Sequence, residues 1–355
     1  YIATYLDTLH RQAQQLSPLT AGLTFDSFAI GGGTPLLLTV PQLEQLMATA
    51  ALFGVHPSHA FTSVETSPEY ADRPRLNVLK KAGVSRVSIG IQSFQDEELK
   101  AIKRRPRQNT IYQALDDIRQ MDFPYFNIDL IYGIKGQTVE SFLYSLEEAL
   151  RFQPNELFIY PLYVRQGTGI TEREPDDVCF RMYRAACKLL QAKGFLQTSM
   201  RRFIHHPSTD AEVSCGDEVM LSCGSGGRSY LGDLHYATRY TVCQQCIARE
   251  IDEYMATTDF TVARNGFILS AKEQQQRFII KNLMYYMGID KAEYTRRFGE
   301  PLDRTPLFRQ LAEQYWIEET PERIRLTPEG LGYSDYIGQL FITPEIRQLM
   351  ETYSY

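Results

Sequence analysis

The sequence predicts an α/β fold: a partial parallel (β/α)6-type barrel followed by a mostly helical, winged-helix-like domain. Three observations lead there. Short β-rich runs alternate with helical patterns from Phe25 to Phe203, helical patterns dominate after about Tyr236, and a short β pair between helices closes the chain. The expected domains are residues 1–235 and 236–355.

The β-rich runs are Phe25 to Ile30, Ala60 to Glu65, Arg86 to Gln92, Tyr125 to Tyr132, Glu156 to Tyr163 and Leu196 to Phe203. Between them, Leu43, Leu46, Met47 and Ala50 mark one helix face, and Val139, Phe142, Leu143, Leu146, Ala149 and Leu150 mark another. Six strands fit a partial barrel better than a closed eightfold one, although a doubly wound open sheet has the same alternation. In either architecture, chemistry belongs at the strand C-termini. In the second domain Asp290, with Glu293 three residues on, signals a helix start, and Gly299 signals its stop. Trp316 and Ile317, then Arg323 to Leu326, then a helix after Thr327, read as a winged-helix-like module. Glu313, Glu318, Glu319 and Glu322 would repel phosphate, so packing on the barrel is the expected role of this module.

With 355 residues, 43% of them hydrophobic, the chain can bury one large core and a smaller appended one. The net charge of -6 gives no broad positive field, which argues against nucleic-acid and membrane partners. Apolar stretches such as Ala48 to Val55 fall far short of the roughly 20 residues that span a bilayer. A cytoplasmic location is the default expectation. Six cysteines are too few for a disulfide scaffold, and the Cys243, Cys246 spacing reads first as redox or metal chemistry. With Cys215 and Cys223 upstream, that pair could ligate zinc or a second iron-sulfur centre, or all four could be small buried hydrophobes. The chain opens at Tyr1 rather than Met, and further residues upstream are expected.

Polar residues recur where successive apolar runs end. Gly31, Gly32, Gly33, Thr34 and Pro35 follow the first run, where absent Cβ atoms let main chain approach a ligand or simply form a tight turn. The next runs end in Val64, Glu65 and Thr66, in Ile91, Gln92 and Ser93, and in Ile128, Asp129 and Leu130. Parallel strands normally exclude charge, so Glu65 and Asp129 need partners or a ligand, unless each caps the next helix.

In order and spacing, GGGTP, VET, RVSIGIQSF, the Lys103, Arg104, Arg105 cluster and NIDLIYG resemble the oxygen-independent coproporphyrinogen III oxidase superfamily of radical S-adenosylmethionine proteins. The resemblance covers roughly Tyr1 to Tyr163 and continues more weakly through Cys223 to Tyr230 and the C-terminal LTPEG segment. It implies two cofactors, S-adenosylmethionine (one or two molecules) and a 4Fe-4S cluster on a CxxxCxxC loop expected upstream of Tyr1. It implies that Gly32, Glu65 and Arg228 contact the molecule at the cluster. Gly33, Thr34, Gln92, Arg104, Asp129 and Tyr163 would line a second S-adenosylmethionine site or the substrate space. Arg228 stands where porphyrinogen enzymes carry an apolar residue, so its assignment departs from the family pattern, and Tyr163 exceeds the usual size, which points away from coproporphyrinogen itself.

The resulting expectation is an enzyme that generates a 5'-deoxyadenosyl radical and alkylates an unsaturated or aromatic small molecule, drawing electrons from a donor such as flavodoxin or ferredoxin. The alternatives are an anaerobic oxidative decarboxylase of porphyrinogen type and a non-catalytic haem carrier. In the carrier, His205, His206 or His235 would be the axial ligand.

Overall fold

In a computed structural model, the described residues are 1–55, 60–105, 107–165, 167–205, 219–239, 241, 244–302 and 306–352. They fall into two compact units, one within 1–182 and 207–268 and the other within 183–206 and 269–354. No helix among the described residues is long and apolar enough to cross a membrane.

Helix α1 (Ile2–Leu16) opens the first unit. It is followed by β1 (Ser27–Ile30), α2 (Val40–Ala51), β2 (Phe61–Thr66), α3 (Arg73–Lys81) and β3 (Arg86–Gln92). Then come α4 (Asp96–Ala101), α5 (Gln108–Met121), β4 (Tyr125–Tyr132), α6 (Val139–Leu150) and β5 (Glu156–Pro161). The five strands pair in chain order and all in parallel. Helical crossovers return the chain each time, so every strand C-terminus opens on the same rim. The faces of this sheet differ sharply. Val64, Val87, Ile89, Ile128, Leu130, Leu157 and Ile159 form one face and are fully buried. Phe142, Leu146 and Ala149 of α6 are also fully buried, three of the apolar positions that mark that helix in the sequence. The opposite face carries the polar residues, a period-two split that a sheet buried in apolar layers on both sides would not show.

After α7 (Asp176–Ala192), β6 (Leu196–Gln197) and β7 (Arg202–Ile204) form an antiparallel hairpin. The sixth expected run is therefore two strands, not one. Its turn is fixed by Ser199, whose Oγ accepts from the Arg201 and Arg202 N–H groups at 3.3 and 3.2 Å. Next, β8 (Val219–Met220), β9 (Arg228–Leu231), β10 (Leu234–Ala237), α8 (Gln244–Ala256) and β11 (Gly266–Ile268) add a small antiparallel sheet to the first unit. The boundary expected after residue 235 lies inside this unit. Strand β10 pairs with β9 on one side and β11 on the other, and Tyr254 of α8 donates to Gln12 of α1 at 2.7 Å.

The second unit contains α9 (Ala271–Leu283), β12 (Ile289–Asp290), α10 (Lys291–Phe298), α11 (Pro306–Glu313), β13 (Ile317–Glu319) and β14 (Arg323–Leu326). Helices α12 (Pro328–Gly332), α13 (Ser334–Leu340) and α14 (Pro344–Thr352) complete it. Its three strands pair antiparallel in the order β12-β14-β13, against a core that includes Phe278, Leu283, Phe308, Ile324 and Ile337. The expected cap is present: Asp290 accepts from the Glu293 N–H at 2.9 Å, and Gly299 ends α10 with φ 74°. In the LTPEG segment, Thr327 Oγ1 accepts from the Gly330 N–H at 3.0 Å, and the Thr327 N–H donates to the Trp316 carbonyl at 2.9 Å. A Cβ on Gly330 would lie 2.0 Å from that same carbonyl oxygen. Gly330→Ala should therefore lower the unfolding free energy of this unit by about 1–3 kcal/mol, the usual cost of overpacking. Denaturant titration with Trp316 fluorescence reads this directly, and an unchanged midpoint would contradict it.

Candidate functional site

In-register pairing sets the polar face of the parallel sheet in rows. One row runs Glu65, Ser88, Asn127, Glu156 across β2 to β5; beside it Ser63 aligns with Arg86, and Gly90 aligns with Asp129 and Phe158. Hydrogen bonds tie the rows together. Asn127 Nδ2 donates to Ser88 Oγ at 2.6 Å and Asp129 Oδ1 at 2.7 Å, while Ser88 Oγ donates to Asp129 Oδ2 at 3.3 Å. Arg86 Nε donates to Ser63 Oγ at 2.9 Å and Nη1 to Glu156 Oε2 at 3.1 Å, an ion pair whose carboxylate is almost wholly buried. Asn127 Oδ1 is buried with no partner, an acceptor left over on this face.

The glycine run meets this face through Glu65. A Cβ on Gly31 would sit 3.0 Å from the Glu65 carboxylate carbon and both oxygens, so Gly31 makes room for the carboxylate itself. The Gly32 N–H donates to the same group. Gly32 and Gly33 have φ 81° and 88°, where a side chain would be strained, yet a Cβ on either would meet only open space. The loop therefore both cradles Glu65 and leaves bare main chain facing outward. Thr34 opens a short 3-10 turn, accepting from the Leu37 N–H at 2.9 Å.

At the end of β3 the ladder shifts register between Gly90 and Gln92, and Gln92 adopts φ 71°. A non-glycine residue held there costs about 1–3 kcal/mol and marks a site whose surroundings over-determine it. Gly90 accommodates it, since a Cβ there would come within 2.5 Å of Gln92 Nε2. Glu65, Gln92 and Asp129 thus share one face with Gly31 and Gly32 beside it. Arg104 lies on the rim: Lys103 ends α4 with φ 59°, and the Arg104 N–H closes the helix on Leu99 O at 2.8 Å. Capping is done by the Arg104 backbone, and its side chain is exposed. Tyr163 follows β5 and is half exposed, while Arg228 opens β9 in the separate antiparallel sheet.

The carboxylates have unusual acidities. Burial pushes Asp129 up to about 7; the neighbouring Glu65 charge adds to this, while the bonds from Asn127 and Ser88 and the Arg86 charge oppose it. Glu65 is open on its outward side but walled by protein elsewhere, and that desolvation raises its pKa against the Gly32 N–H and Arg86. Two carboxyls that resist ionisation together suit a ligand bringing positive charge or hydroxyl donors. An ammonium, a sulfonium and ribose hydroxyls meet that description. The donor set, the bare glycine backbone and the leftover Asn127 acceptor therefore fit S-adenosylmethionine.

Sequence reasoning found the strand ends but missed Ser88, Asn127, Arg86 and Glu156. Their signal was the same period-two spacing: Arg86, Ser88, Gly90 and Gln92 alternate with apolar residues, as Asn127 alternates with Asp129. Of the four cysteines proposed for a metal, Cys215 and Cys243 lie outside the described residues, as does His206. Burial pushes the Cys223 thiol up to about 12, which keeps it protonated in the metal-free chain. Cys246 lies half-buried on α8. Among the described residues, no group of three or more His, Cys, Asp or Glu side chains is arranged to hold a metal ion.

A parallel α/β sheet with a glycine-flanked polar face at its strand ends defines a class that the comparisons with known proteins specify. The Radical SAM superfamily matches residues 11–149, and the HemN C-terminal domain matches residues 269–332. The oxygen-independent coproporphyrinogen III oxidase of Salmonella typhimurium is 31% identical over 92% of this chain and 76% of its own. A Bacillus subtilis relative named heme chaperone HemW is 26% identical over 95% of this chain and 92% of its own. The solved Escherichia coli coproporphyrinogen III oxidase, described as a radical SAM enzyme, superposes with a TM-score of 0.80 at 22% identity, covering 96% of this chain and 83% of that one. The chain belongs to the oxygen-independent coproporphyrinogen III oxidase family of radical SAM enzymes, whose cofactors are S-adenosylmethionine and a 4Fe-4S cluster.

The raised acidity of Asp129 gives a stability prediction. Its folded-state pKa exceeds the ordinary 3.8, so the native chain keeps a proton that the unfolded chain has lost. Its contribution to stability is complete below about pH 4 and is lost as pH rises toward about 7. Asp129→Asn should flatten the fall in ligand-free stability across that window, as measured by denaturant midpoints at several pH values. Parallel pH curves for wild type and variant would contradict the assignment.

Proposed function

We propose that this protein binds S-adenosylmethionine on the face formed by Gly31 to Gly33, Glu65, Gln92 and Asp129, and uses its one-electron cleavage to oxidise a tetrapyrrole bearing carboxylate side chains. The observation that carries the reading is the Glu65 carboxylate, seated against Gly31, bonded by Gly32 and facing a reluctant Asp129. When bound, the cluster and S-adenosylmethionine supply the one-electron chemistry, with flavodoxin or ferredoxin as the proposed electron donor. The chain's own residues bind and orient. Glu65 takes the cationic or hydroxyl groups, the Gly32 and Gly33 main chain lies against the methionyl part, and Asp129 holds or yields a proton as charge arrives.

The tetrapyrrole reading draws on the relatives named for coproporphyrinogen oxidation and for haem handling. Neither name concerns alkyl transfer, so the oxidative reading replaces the alkylating one. The exposed Lys103, Arg104 and Arg105 at the end of α4 offer cations on the same rim, suited to substrate carboxylates. Haem carriage is the second reading, favoured by the match along 95% of the chain to the haem chaperone. His235 is an enclosed candidate for that role, 8% exposed with its ring 4.5 Å from Tyr230 and 5.7 Å from Phe267. His205 packs edge-on against Phe195.

Full-length protein reconstituted anaerobically with iron and sulfide should release 5'-deoxyadenosine from S-adenosylmethionine when a porphyrinogen is supplied. A Soret band on haem titration, with no deoxyadenosine under any reducing condition, would instead favour carriage. Glu65→Ala should weaken S-adenosylmethionine binding about tenfold or more, the scale of one lost charge-assisted contact. Glu69→Ala removes the same chemistry from an exposed turn and should change binding little. Equal losses by calorimetry would remove Glu65 from the site.

A further inference from the structure

A second group of polar side chains lies close to the strand ends without belonging to the ligand face. Glu98, in the first turn of α4, is 5% exposed. Its Oε2 accepts from Ser93 Oγ at 2.6 Å and Gln137 Nε2 at 2.8 Å, and its Oε1 accepts from Ser141 Oγ. All three donors are neutral. A buried carboxylate without a cation is expensive to place. What the carboxylate adds is geometry, because one acceptor-only group draws donors from three segments to a single point.

Those segments carry the ligand face. Ser93, fully buried, directly follows Gln92 and also accepts from the Gln95 N–H at 2.9 Å, while the Phe94 N–H donates to Ser145 Oγ of α6 at 3.1 Å. Gln137 accepts from the Gly133 and Ile134 N–H groups at 2.8 and 3.3 Å and donates to Ile131 O at 3.2 Å, which fixes the turn that ends the Asp129 strand. Arg104 hangs from the other end of α4 through its bond to Leu99 O. The left-handed backbone of Gln92 needs a neighbour that cannot move, and Ser93 is pinned on both sides.

We infer that Glu98 is a positioning residue: through Ser93 and Gln137 it locks the β3 and β4 loops together, so that Gln92 keeps its left-handed turn over Gly90 and Arg104 keeps its place on the rim. The inference rests on the reading of Gln92 as a ligand residue, and the test separates the two. In full-length reconstituted protein, S-adenosylmethionine affinity is measured by calorimetry, and amide exchange over residues 91–95 and 131–138 by mass spectrometry. Glu98→Leu keeps the volume and removes the acceptor. It should weaken binding about tenfold and speed exchange in both segments, with some loss of stability because the buried Ser93, Gln137 and Ser141 donors lose their acceptor. Glu98→Gln, which can still accept from Ser93 and Gln137, should restore both within about twofold. Wild-type affinity and exchange in Glu98→Leu, alongside weakened binding in Gln92→Ala, would overturn the inference and leave the ligand face standing. If Gln92→Ala binds normally, the ligand reading of Gln92 falls, and unchanged exchange in Glu98→Leu would then overturn the positioning claim on its own. Should Glu98→Leu fail to fold, Ser93→Ala removes one donor at small volume cost and faces the same two measurements with the same outcomes.

Discussion

The contact on which the site depends is the seating of the Glu65 carboxylate against a glycine. Gly31 leaves only enough room for that carboxylate, and Gly32 then offers its N–H to it while turning its bare face outward. A Cβ at position 31 would crowd the Glu65 carboxylate and require it to give by a few tenths of an ångström. The rest of the polar face is organised around the same charge: burial and then the nearby Glu65 charge raise the Asp129 pKa, and Arg86 opposes the rise in both carboxyls.

Such a face is costly to build. One side of the sheet has the apolar layer of an ordinary parallel fold, and the other replaces its second apolar layer with Ser63, Glu65, Arg86, Ser88, Asn127, Asp129 and Glu156. Interlocking hydrogen bonds offset part of the desolvation, and the Arg86–Glu156 pair neutralises the deepest charges. The remainder is the unpaired Asn127 oxygen and two carboxyls that resist ionisation together. A fold keeps such a remainder where a bound molecule completes it.

Much of this was legible in the sequence, for a physical reason. Strand ends that carry Glu65, Gln92 and Asp129 break apolar runs at equivalent places, and period and position survive without coordinates. The Asp290 cap and the Gly299 stop were legible because capping is local. The inner rows were harder to see, because Ser88 and Asn127 look like ordinary strand residues until register sets them beside Asp129. Glu98 was invisible for a different reason. It reads as the acidic first turn of an exposed helix, and only packing against Ser93, Gln137 and Ser141 shows that it is buried. The run from Leu196 to Phe203 misled because its turn is held by a side chain, Ser199, with neither glycine nor proline to announce it. Arg228 rests on resemblance, since β9 belongs to a sheet whose place no periodicity foretells.

The account's central claim is that positive charge arriving beside Glu65 and Asp129 completes this face. Bringing a cation there favours the ionised carboxyls, so protons must leave as the ligand binds near neutral pH. Calorimetry of S-adenosylmethionine binding to the full-length reconstituted protein at pH 6.5, in buffers of low and high ionisation enthalpy, measures that release directly. The account predicts a binding enthalpy that differs between the buffers in the sense of proton release, with the difference reduced in Asp129→Asn. Identical enthalpies in the two buffers, or a difference in the sense of proton uptake, would contradict it.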